Sequence, residues 1–171
     1  ILFCSAHYCS RVPEIATRLH ESLAPRAMIG TSGESVICDQ TEYEDQAAVA
    51  LWAARMPAAR LRSFHLSYDD QTRLEEPAAL REHLELPEDA RPQFILLADP
   101  FTVDILNLLD GLEAAFPGRP VIGGMASAGH QAKQNAIAGF LNRASQVQAA
   151  VGVRGGMPAP AQPSSMAMPS L

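Results

Sequence analysis

Three short stretches carry groups that could meet a ligand. Gly30-Thr31-Ser32-Gly33-Glu34 sets two hydroxyls and a carboxylate among glycines. As a nucleophile elbow it fails, because that motif needs glycine two residues after the serine and a helix beyond, where this chain has Glu34 and a strand-like run. As a phosphate loop it lacks the Gly-Lys-Ser/Thr ending. Two readings remain: a tight turn joining two strands, or a cup of backbone amides from which Thr31, Ser32, Gly33 and Glu34 reach a ligand. Asp99-Pro100-Phe101-Thr102 follows an apolar run and reads as a helix start with Asp99 as N-cap. Its free first-turn amides would favour an anionic or carboxylate group, beside plain capping. Gly123-Gly124-Met125-Ala126-Ser127 closes a further apolar run, and paired glycines let the backbone approach a ligand or a neighbouring element closely. The run ends near Ser5, Ser32, Asp99 and Ser127 all carry small or polar residues, as the lip of a pocket would. Asn135 joins this set.

Cys4, His7 and Cys9 also lie close in sequence, at the end of the first apolar run. A zinc site needs four ligands, and Cys38 and His65 stand alone, so no metal and no cofactor is expected. A thiol nucleophile with His7 as base needs a geometry that adjacency does not supply. A buried Cys4 with a surface His7 is the plainer reading.

The elements that must hold these groups are legible from periodicity. Residues 1–6 read as a core strand. Val12, Ile15, Ala16, Leu19 and Leu23 mark one face of a helix, with Ser10 as N-cap, Pro13 in the first turn and Pro25 as the stop. Ala27-Met28-Ile29 and Val36-Ile37-Cys38 read as strands on either side of the glycine-rich segment, with a hairpin connection over Asp39 to Gln46 before the apolar Ala47 to Trp52. A strand is allowed around Leu61 to Leu66, a mobile loop over 68–76, and a short helix from Pro77 to Leu86 with Leu80, Leu84 and His83 inward. Phe94 to Ala98 is apolar throughout, which implies a strand covered on both faces. A helix with Ile105, Leu108, Leu109, Leu112 and Phe116 inward follows, and Pro120 to Gly124 restarts a strand, giving a β-α-β unit with parallel strands. Ala136 to Leu141 and Gln148 to Val153 look like an antiparallel pair.

These elements add up to an α/β domain: a layered mixed sheet with a β-α-β unit and antiparallel additions, helices packed on the sheet. A length of 171 residues suits one domain over residues 1–155, and the Gly, Pro, Ala, Ser and Met composition of 156–171 suits a disordered tail or linker. With 13 basic against 19 acidic side chains the formal charge is −6, which gives no electrostatic footprint for nucleic acid or an anionic membrane. No apolar run approaches the roughly 20 residues of a membrane-spanning helix. Three cysteines at irregular spacing suit reduced thiols in the cytoplasm. The start at Ile1 reads as a strand whose upstream sequence is missing.

In order and spacing, Gly30 to Ile37, Ala98-Asp99-Pro100-Phe101 and Gly123-Gly124-Met125-Ala126-Ser127 resemble the N-terminal half of the FIST domain. Phe3-Cys4-Ser5, the stretch from Glu42 to Pro57 and Ala150-Val151-Gly152-Val153 extend the likeness over roughly residues 1–155. The chain departs from the family pattern at Ser35, where glycine is common, and at Ala128-Gly129, where a second glycine pair is usual. The resemblance implies an intracellular sensory module of signal transduction that binds a small molecule, with amino acids proposed as ligands. It also implies two protein partners, a C-terminal FIST half and a signalling output domain such as a kinase or chemoreceptor. The expectation is therefore binding rather than catalysis, with a ligand across Thr31, Ser32, Gly33, Glu34, Asp99, Phe101, Gly123, Gly124, Ser127 and Asn135. A protein-interaction module without its own ligand and a thiol-dependent hydrolase are the alternatives.

Overall fold

A computed structural model of the chain describes residues 1–67, 69–70, 76–131, 134–141 and 150–153. The expected tail over 156–171 and most of the expected loop over 68–76 lie outside the described residues.

Strand β1 (Leu2–Ser5) runs into a 3-10 turn (Ala6–Arg11) and helix α1 (Val12–Leu23). Pro13 sits in the first turn as its fixed φ favours, but Arg11 rather than Ser10 is the N-cap residue, because the 3-10 turn has already taken up Ser10. Ala24 ends the helix in a left-handed conformation and donates its N–H to the His20 carbonyl at 2.9 Å. Strand β2 (Ala27–Gly33) is followed by a hairpin of β3 (Val36–Cys38) and β4 (Thr41–Tyr43), then by β5 (Val49–Leu51) and β6 (Ser63–Leu66). Helix α2 (Pro77–His83), β7 (Phe94–Ala98), helix α3 (Ile105–Ala115), β8 (Val121–Met125), β9 (Ile137–Leu141) and β10 (Ala150–Val153) complete the order.

Two four-stranded sheets result, one ordered β5-β1-β2-β9 and the other β6-β10-β7-β8. In the first, β1 and β2 are parallel while β5 and β9 flank them antiparallel; the second is parallel throughout. The β7-α3-β8 unit thus joins parallel strands as expected. The sheets lie face to face, β2 against β10 and β7, and β9 against β6 and β10, with Ile29 meeting Leu97 between them. On the outer face of the first sheet, Leu2, Cys4 and Met28 pack against Val12 and Ala16 of α1. On the outer face of the second, Phe94, Leu96 and Ala98 pack against Leu80 of α2 and Leu108, Leu112 and Ala115 of α3. The architecture is therefore four layers, helix, sheet, sheet and helix, and each strand's period-2 alternation feeds two different cores.

The structure corrects five further expectations. Gly30 to Gly33 is no turn: these residues continue β2, and glycine is needed at Gly30 because a Cβ there would stand 2.6 Å from the Leu2 carbonyl oxygen of β1. The hairpin is instead β3 with β4, turning at Asp39 with φ of 54°. The helix after β7 starts at Ile105 with Asp104 as its cap, the Asp104 carboxylate accepting the Asn107 N–H at 3.1 Å, so Asp99 caps no helix. Strands β9 and β10 are not partners, since β9 pairs β2 and β10 pairs β6 and β7. His83, expected inward, is exposed, with Nε2 3.2 Å from the His65 carbonyl oxygen.

Candidate functional site

The carboxyl ends of β2, β7 and β8 and the start of β9 meet at one edge of the sandwich, and polar side chains tie them together. Ser32 is fully buried. Its Oγ accepts the Ala136 N–H at 2.9 Å, its own N–H donates to the Ala136 carbonyl at 2.9 Å, and its carbonyl accepts the Ser127 N–H at 3.3 Å. Ser127 Oγ in turn accepts the Glu34 N–H at 3.1 Å. Two sheets with no shared strand are thereby joined at the strand ends.

A second set of bonds lies beside the first. Asp99, 3% exposed at the end of β7, accepts through Oδ1 both the Phe101 N–H at 3.2 Å and Asn135 Nδ2 at 3.0 Å. Asn135 Oδ1 takes the Gly129 N–H at 2.8 Å, so one carboxylate and one amide latch the β7 end, the loop after β8 and the residue before β9. Inside a protein such bonds are worth keeping intact, because an unpaired buried donor bears its full desolvation cost.

The sequence-derived candidates divide by access. Thr31, Ser32, Asp99 and Asn135 are buried, and the last three are engaged with one another's segments. Glu34, Phe101 and Ser127 are exposed on the rim, with Gly33 half-buried between them. Gly123 and Gly124 do not end their strand but sit within β8, opposite Leu96 and Leu97 of β7. At Gly123 the close approach is to the Leu96 carbonyl of the neighbouring strand. Sequence reasoning missed the folded loop between β8 and β9, where Gln134 Oε1 accepts the His130 N–H at 2.8 Å as Asn135 does for Gly129. Two carboxamides immediately before an apolar strand were the available signal, since such side chains mimic backbone acceptors.

Of the thiols, Cys4 is fully buried, Cys9 half-buried and Cys38 exposed. Burial, helped by the neighbouring Cys9, pushes the Cys4 thiol from its ordinary 9.0 up to about 11. A thiol that keeps its proton longer in the folded chain than in the unfolded one stabilises the fold fully below about 9, and that contribution is lost as pH rises through about 11. The expected result is that urea stability falls between these values more steeply for the native chain than for Cys4→Val, and that iodoacetamide at neutral pH labels Cys38 well before Cys4. Equal pH slopes, or Cys4 labelled first, would refute the assignment. Among the described residues no three His, Cys, Asp or Glu side chains gather as a metal site, and no helix is long and apolar enough to cross a membrane.

The family model described as the FIST N domain matches residues 1–161. An uncharacterised protein of Mycobacterium tuberculosis is 27% identical over 154 residues, which cover 90% of this chain and 38% of that protein. One of Mycobacterium bovis is 26% identical over 131 residues, 77% of this chain and 32% of its own length. The chain spans less than two-fifths of the length of these relatives. No solved structure matches it.

Proposed function

The chain belongs to the FIST N domain family, whose members are generally sensory domains of signal transduction, and from that premise we propose that it senses a small molecule at the rim formed by Glu34, Phe101 and Ser127. The observation that carries this reading is the bonded edge below the rim, where Ser32, Asp99 and Asn135 couple the ends of both sheets. A ligand seated there touches segments from each sheet at once. Its differential affinity for two arrangements of these segments sets how far the equilibrium between them moves, and a neighbouring output domain reads the result.

The helix start at Ile105, away from Asp99, changes the expected ligand chemistry. With no helix starting at Asp99, the site loses the first-turn amides that favoured an anion, and exposed Glu34, whose backbone N–H donates to Ser127 Oγ, brings a carboxylate to the rim. That carboxylate favours a ligand with an ammonium or other donor group, with the Phe101 ring offering apolar or cation–π contact. Amino acids, amines and their derivatives are the chemical class that fits. The buried, protonated Cys4 gives little support to a thiol hydrolase.

A thermal-shift series with amino acids and simple amines tests the proposal. A ligand present at a hundred times its Kd adds about 2.7 kcal/mol of apparent stability by mass action. The expected result is a concentration-dependent rise for one amine-bearing class, lost in Glu34→Ala and Phe101→Ala, whose own melting temperatures match the parent. A rise that persists in both variants moves the site elsewhere; a folded chain that responds to no amine overturns the ligand class.

A further inference from the structure

At the opposite end of β7 and β8 from the rim lies a cavity of about 160 Å³. One wall is the segment before β7, with Glu88, Asp89, Ala90 and Arg91; the other is the turn between α3 and β8, with Phe116, Pro117 and Arg119. None of these residues belongs to the bonded edge below the rim.

Both walls are held in place by the chain itself. Pro87 and Pro92 bracket the first, Pro117 and Pro120 stiffen the second, and each ring fixes its own φ. The Ala90 N–H donates to the Pro87 carbonyl at 3.0 Å and the Arg119 N–H to the Phe116 carbonyl at 3.1 Å. The Phe94 N–H reaches the Pro120 carbonyl at 2.9 Å and ties the one segment to the other. Phe116 is 2% exposed, with its ring centroid 5.6 Å from that of Phe94, so the second wall is seated in the core between the parallel sheet and its helices. Walls fixed in this way spare a ligand the ordering cost of binding.

The charges on these walls do not satisfy one another. Among the described residues no ion pair engages Arg91, Arg119, Glu88 or Asp89. Two guanidiniums suit a carboxylate, which a planar fork binds through two parallel bonds. Glu88 and Asp89 in the same lining repel a dianion such as phosphate, yet accept a bond from a neutral hydroxyl. Size sets the remainder: a void of about 150 Å³ holds one benzene ring, and Ala90, Phe116 and Pro117 offer such a ring apolar contact. We propose that this cavity is a separate small-molecule site for a monocarboxylate of one-ring size that carries a hydroxyl, a ligand of the hydroxybenzoate kind.

Titration of the isotope-labelled chain with sodium 4-hydroxybenzoate, read through amide chemical shifts, tests the site. The expected result is a saturable shift of the amides of Glu88 to Arg91 and of Phe116 and Arg119, while those of Glu34, Phe101 and Ser127 stay in place. Arg91→Gln with Arg119→Gln should weaken binding at least about tenfold by removing the charge-assisted bonds. Glu88→Ala with Asp89→Ala should lower the affinity to that of plain benzoate, which has no hydroxyl to donate. Both double variants should melt with the parent, since none of the four side chains holds an ion-pair partner among the described residues. Inorganic phosphate should leave the same amides unmoved. The absence of a saturable shift, undiminished binding by the arginine double variant, phosphate binding as tight as that of 4-hydroxybenzoate, or shifts centred on the rim would each overturn the proposal. The amine series reports on Glu34 and Phe101, and this titration on the far end of β7, so either reading can fail while the other stands.

Discussion

Gly123→Ala is expected to destabilise the chain by about 3 kcal/mol, combining backbone strain with overpacking. Gly123 has a φ of 150°, which side-chain-bearing residues rarely adopt, and a Cβ there would fall on the Leu96 carbonyl of β7. Leu96 is buried in the cluster formed with α2 and α3, so β7 cannot move aside without opening that core. Gly124→Ala is the matched control. Its Cβ enters open space, so the change should stay within about 0.5 kcal/mol. Urea denaturation of the two variants decides the matter, and similar midpoints would mean that β8 lies farther from β7 than described.

Asp99→Ala is expected to cost about 2 kcal/mol, because it strands Asn135 Nδ2 in a buried setting and the Phe101 N–H in a half-buried one. Asn135→Ala should cost a comparable amount by freeing the Gly129 N–H and removing the partner of Asp99. The double variant should be less unstable than the sum by about 1 kcal/mol, the signature of groups in direct contact. Strict additivity in denaturant would show that the two side chains do not act as one latch. The ligand response should fall in both single variants although neither side chain lies on the rim.

How much of this was legible beforehand follows from what each signal measures. Periodicity located α1, β7 and α3 because their apolar faces meet cores that do not depend on distant pairing. It misread Gly30 to Gly33 as a turn, since glycine in sequence cannot distinguish freedom at a bend from the close passage of Leu2. The same limit separated Asp99 from its role: an aspartate before proline looks like a cap, and only the arrival of Asn135 from 36 residues away makes it a latch. The division of strands between two sheets was beyond local pattern. Ala136 to Leu141 and the strand after it are neighbours in the chain, yet they feed different sheets, and period-2 alternation reads the same for either.

The place of β10 has a consequence for how the chain is made. It is the last strand among the described residues, yet it stands between β6 and β7 in the interior of the parallel sheet. While the ribosome is still extending the chain, β6 and β7 have no common neighbour, and the edges that β10 will pair stay open. Closing that sheet waits for residues 150–153 to clear the exit tunnel, at a synthesis pace of about 5–20 residues per second. The nascent chain therefore spends seconds with open strand edges, an interval in which chaperones compete with aggregation.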